Sequence, residues 1–218
     1  METYSSLESV EELVHGFITR HPDIDVKTDR ETALERLEEH HIEQLATLGV
    51  DRGHLATGEQ VHGNHVEAVD PGAEVIGEKF SETDGLATGT VGQYLGVFVA
   101  DCGAVFFADP VAKACAVVHS GKKGTELGIS KEAIRVMGQR YASKPENIVV
   151  QLAPCIRPPV YEIDFAAQIV RDCIEAGVPE SQVHDCGVCT SSDPQRYYSY
   201  RVEMGKTGRL FAVIGWKA

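Results

Sequence analysis

Leu34, Leu37, His41, Leu45 and Leu48 recur at three- and four-residue steps, and this single apolar stripe predicts a helix over residues 29–48. Thr28 followed by Glu31 has the form of a capping box, and Gly49 is a natural stop. From residue 55 the pattern changes to short β-like runs, punctuated by glycines and by Asp109-Pro110. These runs predict strands over 55–61, 66–69, 86–88, 94–101, 104–109 and 114–119. Helical spacing returns over 125–142, with Leu127, Ile134, Met137 and Tyr141 facing inward, and again over 165–176 before Gly177. Between these helices, 148–153 reads as a strand. The C-terminal part reads as a β-pair, 197–202 and 209–216, joined by a turn over 205–208.

Strands dominate, and helices interrupt them without a regular βαβ alternation. The predicted class is therefore α+β, in a single domain over 1–218 with no repeat or linker to divide it. Composition changes this picture little: 43% hydrophobic and 24% charged residues fit an ordinary globule able to bury its own core. Charge narrows the partners. A net charge of −13 argues against nucleic acid and anionic membranes, which need a basic surface, while leaving room for a local cationic pocket. Residues 1–13 carry Glu2, Glu8, Glu11 and Glu12 and no apolar core of a signal peptide, and no run approaches a membrane span. Six scattered cysteines in such a chain read as reduced thiols, and the expected location is the cytoplasm.

Three short stretches carry the chemistry: Gln60-Val61-His62-Gly63, Ala100-Asp101-Cys102, and Val118-His119-Ser120-Gly121-Lys122-Lys123-Gly124. Two imidazoles and a thiolate suit a divalent ion such as zinc, and three protein ligands leave a fourth position open for catalysis. The same residues also read as a Cys102 nucleophile with a His119 base. Neither interval, 62 to 102 nor 102 to 119, is a compact zinc-finger spacing, so convergence rests on the tertiary fold. Lys122 and Lys123 lie between glycines ahead of a helix, where backbone N–H groups favour an anion. Arg20, Arg201 and Arg209 are further anion candidates. Asp101 reads either as a hydrogen-bonding support of the site or as a turn cap. His65 falls on the opposite face from His62 if the chain stays extended. The Cys186-Gly187-Val188-Cys189 pair lacks the second pair that a structural zinc site would want.

In order along the chain, these stretches are joined by Asp84-Gly85-Leu86-Ala87-Thr88, Ala153-Pro154-Cys155-Ile156-Arg157-Pro158 with Tyr161-Glu162, Cys189-Thr190, Ser199-Tyr200-Arg201 and Gly208-Arg209. His15-Gly16-Phe17-Ile18-Thr19-Arg20 precedes them all. The series resembles the laccase-domain family, also called multicopper polyphenol oxidases and better described as purine nucleoside phosphorylases. That family is similar in fold to deamidating Cys–His toxins. The resemblance implies a layered α/β/β/α sandwich with zinc, or alternatively copper, on His62, Cys102 and His119. It implies phosphorolysis of purine nucleosides, with adenosine deamination and methylthioadenosine phosphorolysis as related activities. His62, Cys102 and His119 would be catalytic, and Lys123, Lys122, Arg20 and Arg201 would hold substrate or phosphate. Monomer or homodimer is the expected assembly. The chain also departs from the family pattern: its HAGWRG is HSGKKG here, its Cys-Cys before YEV is Pro159-Val160, and its Gly-Gly-Val-Ser after the opening Arg is replaced by His21-Pro22-Asp23. The rival readings are a metal-free Cys102–His119 hydrolase or deamidase, a copper-dependent polyphenol oxidase, and a non-catalytic metal-binding protein.

Overall fold

A computed structural model describes residues 1–69 and 79–218. The helices are α1 (Ser5–Glu8), α2 (Arg30–Thr47), α3 (Lys122–Glu126), α4 (Ile129–Tyr141) and α5 (Phe165–Glu175). The strands are β1 (Leu13–Ile18), β2 (Leu55–Gly58), β3 (Val66–Ala68), β4 (Lys79–Phe80), β5 (Gly85–Thr88), β6 (Tyr94–Val99), β7 (Gly103–Asp109), β8 (Ala114–Ser120), β9 (Val149–Leu152), β10 (Val183–Asp185) and β11 (Leu210–Trp216). They form two mixed sheets, β1-β11-β6-β2-β4 and β10-β9-β7-β8-β5-β3.

Strand periodicity sorts the side chains into layers. In β7, Ala104, Phe106 and Ala108 point between the sheets, while Val105 and Phe107 point outward. In β11, Leu210, Ala212, Ile214 and Trp216 point inward, and Phe211 and Val213 outward. The inner layer also holds Phe17, Leu86, Leu95, Val97 and Val117, and each such side chain contributes roughly 2 kcal/mol of transfer free energy. Helix α2 covers the outer face of the first sheet through Leu45, against Val14, Ile18 and Phe211. Helices α4 and α5 cover the second through Ile129, Met137, Phe165 and Ile169. The layers therefore run α/β/β/α, as the resemblance implied. No helix among the described residues is long and apolar enough to cross a membrane.

Several elements differ from the pattern. The helix expected over 125–142 is two helices, because Gly128 takes a left-handed φ of +76° that ends one and starts the next. That break turns Leu127 outward, 48% exposed. The expected C-terminal β-pair is a single strand. Both flanks of β11 are taken by β1 and β6, and residues 199–203 are drawn into turns by carboxylates instead. Helix α2 starts one residue later than its pattern, with Asp29 rather than Thr28 accepting from the Thr32 N–H at 3.0 Å.

His41 takes its place in the α2 stripe, its ring 5.7 Å from Phe98 and 5.6 Å from Phe211. Burial, helped by neighbouring His40, pushes its pKa from the ordinary 6.5 down to about 4. The unfolded chain thus binds a proton that the folded chain refuses. Stability is full above pH 6.5 and is lost as the pH falls toward 4, by roughly 3 kcal/mol through this group. Because its Nε2 has no partner among the described residues, a His41→Leu substitution keeps stability at pH 7. The same substitution flattens the acid limb, read as urea midpoints from pH 7 to pH 4.

Candidate active site

Chain path assembles the site. Three times the chain leaves the first sheet and enters the second: from β2 to β3, from β4 to β5 and from β6 to β7. His62 lies in the first crossover, Asp84 at the end of the second, and Cys102 in the third. His119 stands in β8, in the second sheet. The ligand atoms of His62, Cys102 and His119 lie within 4.8 Å of one another, and among the described residues theirs is the one His/Cys/carboxylate group so placed. The two imidazole rings meet edge to face, centroids 4.8 Å apart.

Asp84 holds this arrangement together; the sequence placed it in a family-like stretch but gave it no role. Its buried carboxylate accepts the N–H groups of Val61 (3.1 Å), His62 (2.9 Å) and Gly63 (2.7 Å). It also takes the His119 Nδ1 proton at 2.8 Å, which leaves Nε2 to face Cys102. Burial works to raise its pKa, but His119 and the amides hold it below the usual carboxylate range. The three amides bend residues 61–63 so that His62 adopts a left-handed φ of +61°. Gln60 closes the other side, as its side-chain amide pairs with Phe98 N–H and C=O like an extra strand residue. The available signal was the Asp84-Gly85-Leu86-Ala87-Thr88 stretch itself, which carried the resemblance without saying what the carboxylate holds.

Asp101 has the same role for the third crossover. Left-handed itself at φ +81°, it accepts Thr190 Oγ1 at 2.6 Å, Ser199 Oγ at 3.0 Å and the Arg201 N–H at 2.7 Å. It thereby pulls the 190 and 199–201 turns over the site. Gly121 is needed for a different reason: a Cβ there would stand 2.6 Å from Cys102 Sγ. Burial would push the Cys102 thiol up, but hydrogen bonds from His119 and His62 outweigh it and bring the pKa down to about 6. For His119, burial works downward, and Asp84 and Cys102 raise it to about 9. A thiolate and two imidazoles, one backed by a carboxylate, form a donor set that fits a borderline divalent ion.

The group lines a cavity of about 480 Å³ whose walls include Phe98, Tyr161, Phe165 and Tyr200 with Arg30, Lys122, Arg201 and Arg209. Of the residues expected to hold substrate or phosphate, Lys122 and Arg201 face this cavity. Lys123 is exposed outside its lining. Arg20 is turned away, paired with Glu203 at 2.6 Å and stacked 4.6 Å over Tyr198. Arg30 was missed because its place at the start of α2 reads as a solvated helix end. His65 bonds Glu67 at 3.2 Å instead of joining the ligands. All six cysteines are free thiols, and Cys189 pairs with Cys155 only through an isolated backbone bridge.

An α/β/β/α sandwich with a His–Cys–His group gathered from two sheet crossovers and strand β8 defines the class. The chain belongs to the family described as multi-copper polyphenol oxidoreductase laccase, matched over residues 24–174 and 161–217. It is 29% identical over 193 residues to a Bacillus subtilis protein named purine nucleoside phosphorylase YlmD, covering 73% of this chain and 69% of that one. A Deinococcus radiodurans protein named purine nucleoside phosphorylase is 32% identical over 203 residues, 81% of this chain and 76% of its own. The crystal structure of the Bacillus licheniformis protein YfiH superposes with a TM-score of 0.84 over 96% of this chain and 95% of that one, at 22% identity, a likeness of fold.

Proposed function

We propose that this chain is a zinc-dependent purine nucleoside phosphorylase. The observation that carries the reading is the convergence of His62, Cys102 and His119 on the wall of a cavity that also presents aromatic rings and cations. Relatives named purine nucleoside phosphorylase support it. In the reaction, a phosphate oxygen bonds to ribose C1′ as the bond from C1′ to purine N9 breaks. The electron pair leaves with the base, which takes up a proton. Cationic side chains hold the phosphate, and Tyr161 and Tyr200 offer faces for the purine. His62, Cys102 and His119 would hold the metal, which when bound supplies Lewis-acid polarisation of an oxygen or nitrogen on the substrate. Zinc is favoured over a multicopper relay because a relay needs several histidine-rich sites, and the described residues hold one group. Hydrolytic removal of the adenine 6-amino group and phosphorolysis of methylthioadenosine belong to the same reading.

One observation favours a second reading. Asp84, His119 and Cys102 are connected in the order of a thiol hydrolase triad, with the thiol already lowered to about 6. Product analysis separates the two. Adenosine incubated with zinc-loaded protein is expected to yield adenine and ribose 1-phosphate only when phosphate is present. Inosine as the product would mark deamination. No product from demonstrably zinc-loaded protein would sink the nucleoside reading. Activity that survives chelation but not thiol alkylation would favour the hydrolase.

A further inference from the structure

In a chain with 33 acidic against 20 basic residues, most described arginines have found a carboxylate. Arg20 pairs with Glu203, Arg157 with Asp185 and Arg196 with Glu2. Arg30 and Arg209 make no ion pair with a carboxylate among the described residues, and both line the cavity beside Cys102. Arg209 is half-buried. Its Nη1 is tied to the Thr207 carbonyl at 3.0 Å and the Gly208 carbonyl at 2.9 Å. Its Nη2 and Nε have no protein acceptor among the described residues. Burial first, and then the charge of Arg30, both work against the Arg209 cation, while Cys102 and Asp101 offset them in part. Arg209 therefore lies in electrostatic reach of Arg30 and of the Cys102 site at once.

Two guanidinium groups without an ion-pair partner, sharing one wall, repel each other, and an anion between them removes that cost. A free guanidinium edge suits a tetrahedral oxyanion, which it binds through two parallel N–H donors. The other cations are less available. Arg201 reaches Glu162 at 3.4 Å and sits 5.0 Å over the Tyr161 ring. Arg20 is spent on Glu203, and Lys123 is outside the lining.

We propose that Arg30 and Arg209, joined by Lys122, form the oxyanion subsite of this cavity and receive inorganic phosphate or the phosphoryl group of an ester. As the seat of a phosphate co-substrate, the subsite rests on the phosphorolysis reading. It explains how a chain with two lysines in place of the family's Trp-Arg can still hold the anion: the planar forks come from α2 and from the residue before β11.

Binding is tested on the full, zinc-loaded chain with inorganic phosphate, followed by calorimetry or by ³¹P line width. Arg30→Gln and Arg209→Gln are each expected to weaken phosphate by about 10- to 100-fold. Arg209→Lys recovers part of the loss, and Arg171→Gln, an exposed helix-α5 control, recovers wild-type affinity. Adenosine affinity measured without phosphate stays unchanged in all of them. Arg209 also braces two carbonyls, so if Arg209→Gln does not fold, Arg30→Gln decides, since the Arg30 side chain makes no hydrogen bond or ion pair to the described residues. Adenosine 5′-monophosphate distinguishes the sources: arginine-dependent binding tighter than that of phosphate marks an ester, and weaker binding marks the free anion. Phosphate affinity unchanged in both glutamine variants, or no phosphate binding by the wild type, overturns the subsite. Arginine-dependent phosphate binding without nucleoside cleavage keeps the subsite and overturns the phosphorolysis reading. Cleavage with an unchanged phosphate KM in both variants does the reverse.

Discussion

On the phosphorylase reading, Cys102→Ala is expected to abolish zinc binding and turnover together. The thiolate is the anionic member of the His62–Cys102–His119 group, and its loss leaves two neutral imidazoles. Outer partners of a metal ligand are each worth roughly 10- to 100-fold in affinity, and a direct ligand should exceed that. Zinc per chain after dialysis, read by atomic absorption, should fall far below one while circular dichroism stays that of the parent. The fold tolerates the change because the side chain sits in a crossover turn, outside the sheet ladders. A Cys102→Ala protein that retains stoichiometric zinc would remove this residue from the metal site. One that retains zinc but loses turnover would point to the thiol as nucleophile.

The second large effect falls on Asp84, and it couples the site to stability. Asp84→Ala leaves the N–H groups of Val61, His62 and Gly63 and the His119 Nδ1 proton without their acceptor. Orphaned buried donors cost roughly 1–3 kcal/mol each, and partial access of water brings the expected total to about 3–5 kcal/mol. The left-handed His62 backbone also loses what holds it. Zinc affinity should drop by about 10- to 100-fold because His119 is no longer oriented. Asp84→Asn should lie between, since one oxygen still accepts while the amide opposes the remaining donors. Urea denaturation and competitive zinc titration check both quantities. Parental stability with weakened zinc, or the converse, would show that one carboxylate does not carry both.

Much of this fold was legible because its layers write themselves into the sequence at strand and helix periods. The α2 stripe and the alternation in β7 and β11 each name a buried face. Ordered motifs likewise announced His62, Cys102 and His119. What escaped notice depends on distant partners. Asp84 acts on residues more than twenty positions away in either direction, so its local Asp-Gly text says only that the chain turns. Residues 197–202 carry strand-like composition, yet Asp101 and Glu203 bind their backbone and β11 has no free edge. Sequence pattern favoured Arg20 over Arg30 as a ligand for an anion. Only the pairing of Arg20 with Glu203, and the absence of such a partner for Arg30 among the described residues, reverses that order.

The three crossovers make the centre a gauge of how the two sheets are aligned. His62 and Cys102 hang from links between the layers, whereas His119 is fixed within one of them. A shear of the layers by about an ångström would disturb the apolar interior little, since its contacts are many and non-directional. The same slip would spoil a cluster whose atoms must agree to a few tenths of an ångström. On the metal reading, a slip of the sheets would disturb the centre before the core, and an ion bound there would pin the two layers in one alignment.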